Sequence, residues 1–129
     1  MKTALVTGST QGIGKAIAER LVKNDFKVIV HCSSDIEKAE RIKKEIGAHK
    51  AIIGDLSDMA QVAEIRKATG AVDVLVLNAS VQYKQKWLDI SDSEIEKQLS
   101  VNVVSTLKLM QAYYPEMKKN GFGRIITIG

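Results

Sequence analysis

The segment Thr7-Gly8-Ser9-Thr10-Gln11-Gly12-Ile13-Gly14 is the sharpest chemical motif in the chain, and it joins an apolar run to an amphipathic one. Glycines at such a turn tolerate positive φ and let backbone N–H groups approach a pyrophosphate at a helix N-terminus, where the helix dipole favours negative charge. The spacing differs from the common G-x-G-x-x-G fingerprint, and Ala16 stands where a Walker A loop has its magnesium-binding Ser or Thr. The motif therefore predicts dinucleotide binding and disfavours a phosphate-transferring NTPase.

Small and polar residues also follow three other apolar runs. They are Cys32-Ser33-Ser34 after the second run, Asp55-Leu56 after the third and Asn78-Ala79-Ser80 after the fourth. If the runs are parallel strands, their carboxyl ends meet at one edge of the sheet, where ligands of such folds bind. A lone Asp such as Asp55 also forms Asx turns that lead into helices, so a purely structural explanation stays open for it.

Two alternating periodicities predict the fold. Short, mostly apolar, β-branched runs predict five strands covered on both faces: Lys2–Thr7, Phe26–Cys32, Ala51–Ile53, Val72–Leu77 and Arg124–Ile128. Amphipathic helices are predicted between them, weakest over residues 58–69. Strict alternation with right-handed crossovers predicts an α/β fold with a doubly wound parallel sheet of the Rossmann type, in one domain over residues 1–129.

The longest predicted helix carries one broad apolar stripe, ends at Gly121 and bends near Pro115. The stripe consists of Ile95, Leu99, Val103, Thr106, Leu107, Met110, Tyr114 and Met117. Core packing explains such a stripe, and so does an interface between copies of the chain. Asn102 is predicted to face inward on this helix, where an amide needs hydrogen-bond partners.

Composition limits the other classes of function. The 129 residues are 45% hydrophobic and 26% charged, as in ordinary soluble globular proteins. The net charge of +4 is spread out, which argues against a nucleic-acid partner. No apolar run approaches the roughly 20 residues that span a bilayer, so no membrane partner is predicted. Cys32 is the only cysteine, and His31 and His49 are interpreted as strand-terminal residues, so no metal site is predicted. We expect a soluble, cytoplasmic protein.

Taken together, these motifs resemble the short-chain dehydrogenase/reductase family over the whole chain. Residues 7–14 match that family's T-G-x-x-x-G-x-G at every fixed position, and Asp55-Leu56 looks like its Asp and apolar residue after the third strand. Residues 77–80 are similar to its N-N-A-G, with Leu77 and Ser80 as departures. Asn102 stands in the family's V-N-V context, and residues 123–129 look like the fifth strand of the β-ketoacyl carrier-protein reductase branch.

The resemblance implies a nicotinamide cofactor whose pyrophosphate lies on the glycine turn. The adenosine ribose or its phosphate would lie at the end of the second strand, the adenine at the third and the nicotinamide ribose at the fourth. Asn102 is implied to be catalytic, to distort its helix and to hold a water in the proton relay. The implied cofactor-binding set is Gly8, Ser9, Thr10, Gln11, Gly12, Ile13, Gly14, Cys32, Ser33, Ser34, Asp55, Leu56, Asn78, Ala79 and Ser80.

The choice between NADP and NAD depends on the end of the second strand, where an Asp or Glu accepts a hydrogen bond from the ribose 2′-OH of NAD. Cys32 holds that position. Ser34-x-x-Glu37 is a capping-box pattern and Asp35 fits the first turn of a helix, which explains both nearby acids structurally. Against NADP, many of its users in the family have a basic residue at the position of Gln11 and another near Ser33. The balance favours NADP and leaves NAD open.

The resemblance also implies hydride transfer between the nicotinamide and a small-molecule carbonyl or alcohol, in a homodimer or homotetramer. The family's catalytic Ser, Tyr and Lys would follow Gly129, so the 129 residues alone are predicted to be inactive. We expect a segment of a longer enzyme, truncated after the fifth strand, with a true truncated product as the alternative. A non-catalytic dinucleotide-binding module would use the same residues, and the glycine spacing disfavours a Rossmann-like methyltransferase.

Overall fold

One five-stranded parallel sheet with helices on both faces forms the centre of the computed structural model, which describes residues 1–129. The strand order is β3-β2-β1-β4-β5, and all four neighbouring pairs are parallel. The predicted doubly wound sheet is confirmed, with strand bounds within two residues of the expected ones. The strands are β1 (Thr3–Val6), β2 (Lys27–Cys32), β3 (Lys50–Ile53), β4 (Val74–Leu77) and β5 (Arg124–Thr127).

The helices fill the intervals between the strands, as the sequence pattern predicts. A short 3₁₀ turn (Trp87–Asp89) precedes the fourth helix, and a π-helical turn (Ser100–Val104) joins the fourth helix to the fifth. No helix combines the length and the apolar character that crossing a bilayer requires. The helices are α1 (Gly12–Lys23), α2 (Ile36–Ile46), α3 (Met59–Thr69), α4 (Asp92–Leu99) and α5 (Ser105–Asn120).

The sheet separates two apolar cores, because successive strand residues point to opposite faces. Leu5, Ile29 and Leu75 lie in the core formed with α3 and α5. Val6 and Val30 lie in the core formed with α1 and α2. The chain crosses from β3 on one side of β1 to β4 on the other, so strand order reverses at β1. This reversal opens a crevice between the loops that follow β1 and β4.

The N-terminus of α2 differs from the expected one. The predicted capping box on Ser34 and Glu37 is wrong, because the N-cap is Asp35 and the helix begins at Ile36. The Oδ1 of Asp35 accepts a hydrogen bond of 3.0 Å from the backbone N–H of Lys38. A carboxylate caps a helix as well as a serine hydroxyl does. Asp35 therefore has a structural role, as the N-cap and not as a first-turn residue.

The long helical segment faces the sheet with a different row of side chains from the predicted one. The buried row is Val101, Ser105, Leu109, Tyr113 and Met117. Of the predicted stripe only Met117 is fully buried, whereas five of its members are 46% to 56% exposed: Ile95, Leu99, Val103, Leu107 and Tyr114. We call Leu99, Val103, Leu107 and Tyr114 the outer stripe.

Ser105 is the reason why counting apolar residues selects the wrong row. Its hydroxyl donates a hydrogen bond of 2.6 Å to the carbonyl oxygen of Val101, so its polar group is satisfied inside the helix. The small side chain is then buried without an unpaired polar atom. A more apolar row is available on the outside, but close packing decides which row faces inward.

Candidate cofactor site

The turn after β1 has the backbone geometry that its glycines predict. Gly8 and Gly12 have φ values of +60° and +57°, in the left-handed region that other residues rarely adopt. A Cβ on Gly8 would lie 2.9 Å from the Cα of Ala79, whereas a Cβ on Gly12 would meet no atom within 4 Å. Gly12 therefore leaves open space at the N-terminus of α1, where backbone N–H groups suit a phosphate.

Thr7 and Asn78 fasten this turn to the loop after β4. The Oγ1 of Thr7 accepts hydrogen bonds from the backbone N–H groups of Asn78 and Ala79, each at 3.0 Å. The Nδ2 of Asn78 donates to the carbonyl oxygens of Thr7 at 3.2 Å and Gly8 at 3.1 Å. A Cβ on Gly14 would collide with the same Asn78 amide and with the Gly8 carbonyl oxygen. The two loops at the crevice are thus held at a fixed separation.

A buried histidine supports the same turn, a role that the sequence analysis missed. His31 is 1% exposed. Its Nδ1 accepts a hydrogen bond of 3.0 Å from the backbone N–H of Gly8, which assigns the ring proton to Nε2. Nε2 donates to the carbonyl oxygen of Gly54 at 2.9 Å. Burial lowers the pKa of His31, and the hydrogen bond to Gly54 partly opposes that shift. The neutral imidazole therefore connects the ends of three strands.

The sequence feature that could have indicated this role is the position of His31 inside the buried run of β2. A buried imidazole needs hydrogen-bond partners for both ring nitrogens. Its backbone takes part as well. The backbone N–H of His31 donates to the Oγ of Ser9 at 2.9 Å, and the backbone N–H of Ser9 donates to the His31 carbonyl oxygen at 2.9 Å. Ser9 is fully buried and does not line the cleft, so it supports the turn from the protein interior.

The loops at the carboxyl edge of the sheet enclose a cleft of about 740 Å³. That volume is within the range of about 300–1,000 Å³ that is common for small-molecule sites. The tertiary structure brings all but two of the predicted cofactor residues to the lining of this cleft; Ser9 and Gly14 lie beneath it and are buried. The predicted residues that line the cleft are Gly8, Thr10, Gln11, Gly12, Ile13, Cys32, Ser33, Ser34, Asp55, Leu56, Asn78, Ala79 and Ser80.

Asp55 forms the Asx turn that was one of its two interpretations. Its Oδ1 accepts hydrogen bonds from the Oγ of Ser57 at 2.7 Å and from the backbone N–H of Ser57 at 2.9 Å. The hydrogen bond from the Ser57 hydroxyl lowers the pKa of Asp55 most, and the backbone N–H and the positive charge of Lys97 lower it further. Leu56 is buried beside it. The carboxylate still lines the cleft, so the turn does not exclude a ligand contact.

The end of β2 forms a compact turn into α2. The Sγ of Cys32 donates to the carbonyl oxygen of Asp35 at 3.0 Å, while Ser33 and Ser34 are exposed on the cleft wall. No group of three or more His, Cys, Asp or Glu side chains is arranged to hold a metal ion.

Asn102 lies in the π-helical turn and holds the segment after β4. Its Oδ1 accepts from the backbone N–H of Val81 and its Nδ2 donates to the Val81 carbonyl oxygen, both at 2.8 Å. The side chain is exposed, so the prediction that it faces inward is wrong; the turn carries it toward the loop. Helix distortion at this position, which the resemblance implies, is observed. Val81 lines the cleft, which places Asn102 next to the site.

Comparison with known proteins gives a family for this geometry. The family model described as short chain dehydrogenase matches residues 2–129. The 3-oxoacyl-(acyl-carrier-protein) reductase of Salmonella typhimurium is 38% identical over 133 aligned residues, which cover 99% of this chain and 54% of that protein. The chain thus spans about half the length of the curated relatives that it matches.

Two solved structures agree with the fold. A metagenomic short-chain oxidoreductase in complex with NADP is 30% identical, with a TM-score of 0.88 over 99% of this chain and 61% of that one. A 3-oxoacyl (acyl-carrier-protein) reductase from Agrobacterium tumefaciens with NADP bound is 35% identical, with a TM-score of 0.86 over 99% of this chain and 52% of that one. The family model, the sequence relatives and the shared sheet topology agree, and this chain belongs to the short-chain dehydrogenase/reductase family.

Proposed function

We propose that residues 1–129 form the cofactor-binding part of an NAD(P)-dependent oxidoreductase that moves a hydride between the nicotinamide and a carbonyl or alcohol substrate. The observation that carries the proposal is the open space in front of Gly12, at the N-terminus of α1 and inside the cleft. Two family members of similar fold bind NADP, which supports the same cofactor class here. The nicotinamide supplies or accepts the hydride when the cofactor is bound.

The chain's own residues would bind and orient that cofactor. Gly8, Gly12 and Gly14 shape the turn that would receive the pyrophosphate, with the adjoining Ser9, Thr10, Gln11 and Ile13 as its remaining predicted contacts. Cys32, Ser33 and Ser34 would face the adenosine ribose or its phosphate, and Asp55 and Leu56 the adenine. Asn78, Ala79 and Ser80 would border the nicotinamide ribose. The lining of the cleft and the bonds between its loops support these assignments.

Asn102 is the catalytic residue that we propose within these 129 residues. Its two hydrogen bonds to Val81 support a second contribution, which is to hold the segment after β4 against the π-helical turn. The family's Ser, Tyr and Lys are proposed to lie outside residues 1–129, in a catalytic part corresponding to the rest of the relatives' length. These residues alone would bind the cofactor without completing the reaction.

We propose NADP as the preferred cofactor, with NAD as the alternative. The end of β2 offers Cys32 where an NAD enzyme has an acid, and the nearby carboxylate of Asp35 caps α2.

We propose that copies of this chain associate through the outer stripe to form a dimer or a tetramer. Leu99, Val103, Leu107 and Tyr114 expose large apolar side chains along one side of the long helical segment. Contiguous apolar surface of this kind marks interaction sites more often than isolated exposed residues do. We also propose a cytoplasmic location, because the composition of the chain is ordinary for soluble globular proteins.

A pair of glycine substitutions tests cofactor binding directly. Gly12 and Gly121 both have positive φ, +57° and +71°, and a Cβ on either meets no atom within 4 Å. Gly12→Ala and Gly121→Ala should therefore cost a similar backbone strain of about 1 kcal/mol. Only Gly12 lines the cleft, and only Gly12→Ala puts a methyl group where a phosphate would lie. NADPH and NADH binding, followed by nicotinamide fluorescence, is the measurement.

We expect Gly12→Ala to weaken binding of both dinucleotides at least about tenfold and Gly121→Ala to leave it unchanged, with similar losses of unfolding free energy. Binding with no carbonyl reduction in the intact protein would support the non-catalytic module instead. Failure of the unmodified protein to bind either dinucleotide would refute the proposed function.

A further inference from the structure

Lys38 reaches across the mouth of the cleft from α2 to the glycine turn. Its Nζ donates a hydrogen bond of 2.8 Å to the Oε1 of Gln11, which is the N-cap residue of α1 and makes no side-chain capping bond. Lys38 is half-buried and lines the cleft, together with Ser33 and Ser34. An ammonium group is therefore held next to the end of β2, at the corner of the cleft assigned to the adenosine ribose.

No ion pair within residues 1–129 neutralises the charge of Lys38. The carboxylate of Asp35 accepts from the backbone N–H of Lys38 as the cap of α2, and that of Asp55 is occupied by Ser57. Lys97, the other lysine of the cleft, acts electrostatically on Asp55. Lys38 thus supplies the positive charge at the end of the cleft assigned to the adenosine ribose.

We propose that Lys38 determines cofactor choice by binding the 2′-phosphate of NADP(H), with Gln11 as its positioning partner. This inference rests on the proposed function and names the group that recognises the phosphorylated cofactor. An ammonium group has three donors, of which Gln11 takes one, so two remain for phosphate oxygens. The amide Nε2 of Gln11 adds further donors beside it. A neutral ribose 2′-OH would gain little from the same cation.

The bridge also accounts for Gln11, which stands at a position where many NADP users of the family have a basic residue. Gln11 carries no charge, but its carbonyl oxygen holds the charge of Lys38 above the glycine turn. The cation comes from a helix residue 27 positions away in sequence. Neither residue alone indicates a phosphate site; their contact does.

Lys38→Met tests the inference, with Lys44→Met as the matched control on the same helix. Lys44 is exposed and does not line the cleft. Both variants remove one positive charge, and thermal unfolding checks that both are folded. Binding of NADPH and NADH to the intact protein is measured by nicotinamide fluorescence, and 2′,5′-ADP and 5′-AMP compete as probes of the adenosine half.

We expect Lys38→Met to weaken NADPH and 2′,5′-ADP about tenfold or more, because a charge-assisted hydrogen bond is lost, while NADH and 5′-AMP stay within about twofold. Lys38→Arg should restore most of the NADPH affinity, and Lys44→Met should change neither cofactor. Equal losses for both cofactors, or no loss for either, would overturn the assignment while leaving the proposed function standing. An unmodified protein that binds neither cofactor would instead refute the proposed function, and this inference with it.

Discussion

Acidification should weaken this fold through His31, because the folded protein holds that imidazole neutral. Its Nδ1 accepts from the Gly8 N–H and its Nε2 donates to the Gly54 carbonyl oxygen, so a second ring proton would face an N–H donor. Burial places the folded-state pKa below 6.5, the value expected for an unfolded chain. Below pH 6.5 the unfolded state then binds more protons than the folded state, so stability falls as pH falls.

The magnitude follows from proton linkage. A one-proton difference changes the free energy of unfolding by about 1.4 kcal/mol per pH unit. His31 should therefore contribute a loss of up to about 1.4 kcal/mol between about pH 7.5 and about pH 5.5, of which about three quarters falls below pH 6.5. Urea unfolding at both pH values measures it. Because the folded protein keeps the ring neutral, the Gly8 N–H keeps its acceptor over this range, and His31 should not change cofactor affinity there.

His31→Asn separates this effect from other titrations. The asparagine carbonyl oxygen can take the place of Nδ1 as acceptor, but the bond to Gly54 is lost, so a cost of about 1–3 kcal/mol at neutral pH is expected. The variant should lose the acid sensitivity in this range. His49→Asn removes an exposed imidazole and should keep the wild-type behaviour. If wild type and His31→Asn lose the same free energy of unfolding on acidification, His31 is not the source of the acid sensitivity.

Three further predictions concern the turn, the crevice and the outer stripe. Thr7→Val should cost about 2–4 kcal/mol in urea unfolding, because two backbone N–H groups lose their shared acceptor; a cost under about 0.5 kcal/mol would contradict this. Gly14→Ala should reduce both stability and NADPH binding, since its Cβ would collide with the Gly8 carbonyl oxygen; unchanged thermal unfolding would argue against that packing. Leu107→Glu should lower the mass measured by light scattering if the outer stripe joins copies, and an unaltered oligomer would exclude this residue from the interface.

The long helical segment shows that hydrophobic periodicity predicts a helix but does not decide which of its faces is buried. Four-residue spacing predicts a helix here correctly, because it requires only local geometry. Two rows at that spacing were available, and the more apolar one lies outside. The buried row includes Ser105, whose hydroxyl is satisfied within the helix, so a count of apolar residues passes over this row. Packing against the rest of the fold therefore decided what composition could not.

The sequence by itself determined the sheet, the position of the glycine turn and the set of residues at the carboxyl edge, because these depend on residue type and local spacing. Tertiary structure alone decided that His31 supports Gly8 and that Lys38 meets Gln11. These two contacts join residues 23 and 27 positions apart in the sequence. Register and packing bring such groups together, and no local pattern encodes them.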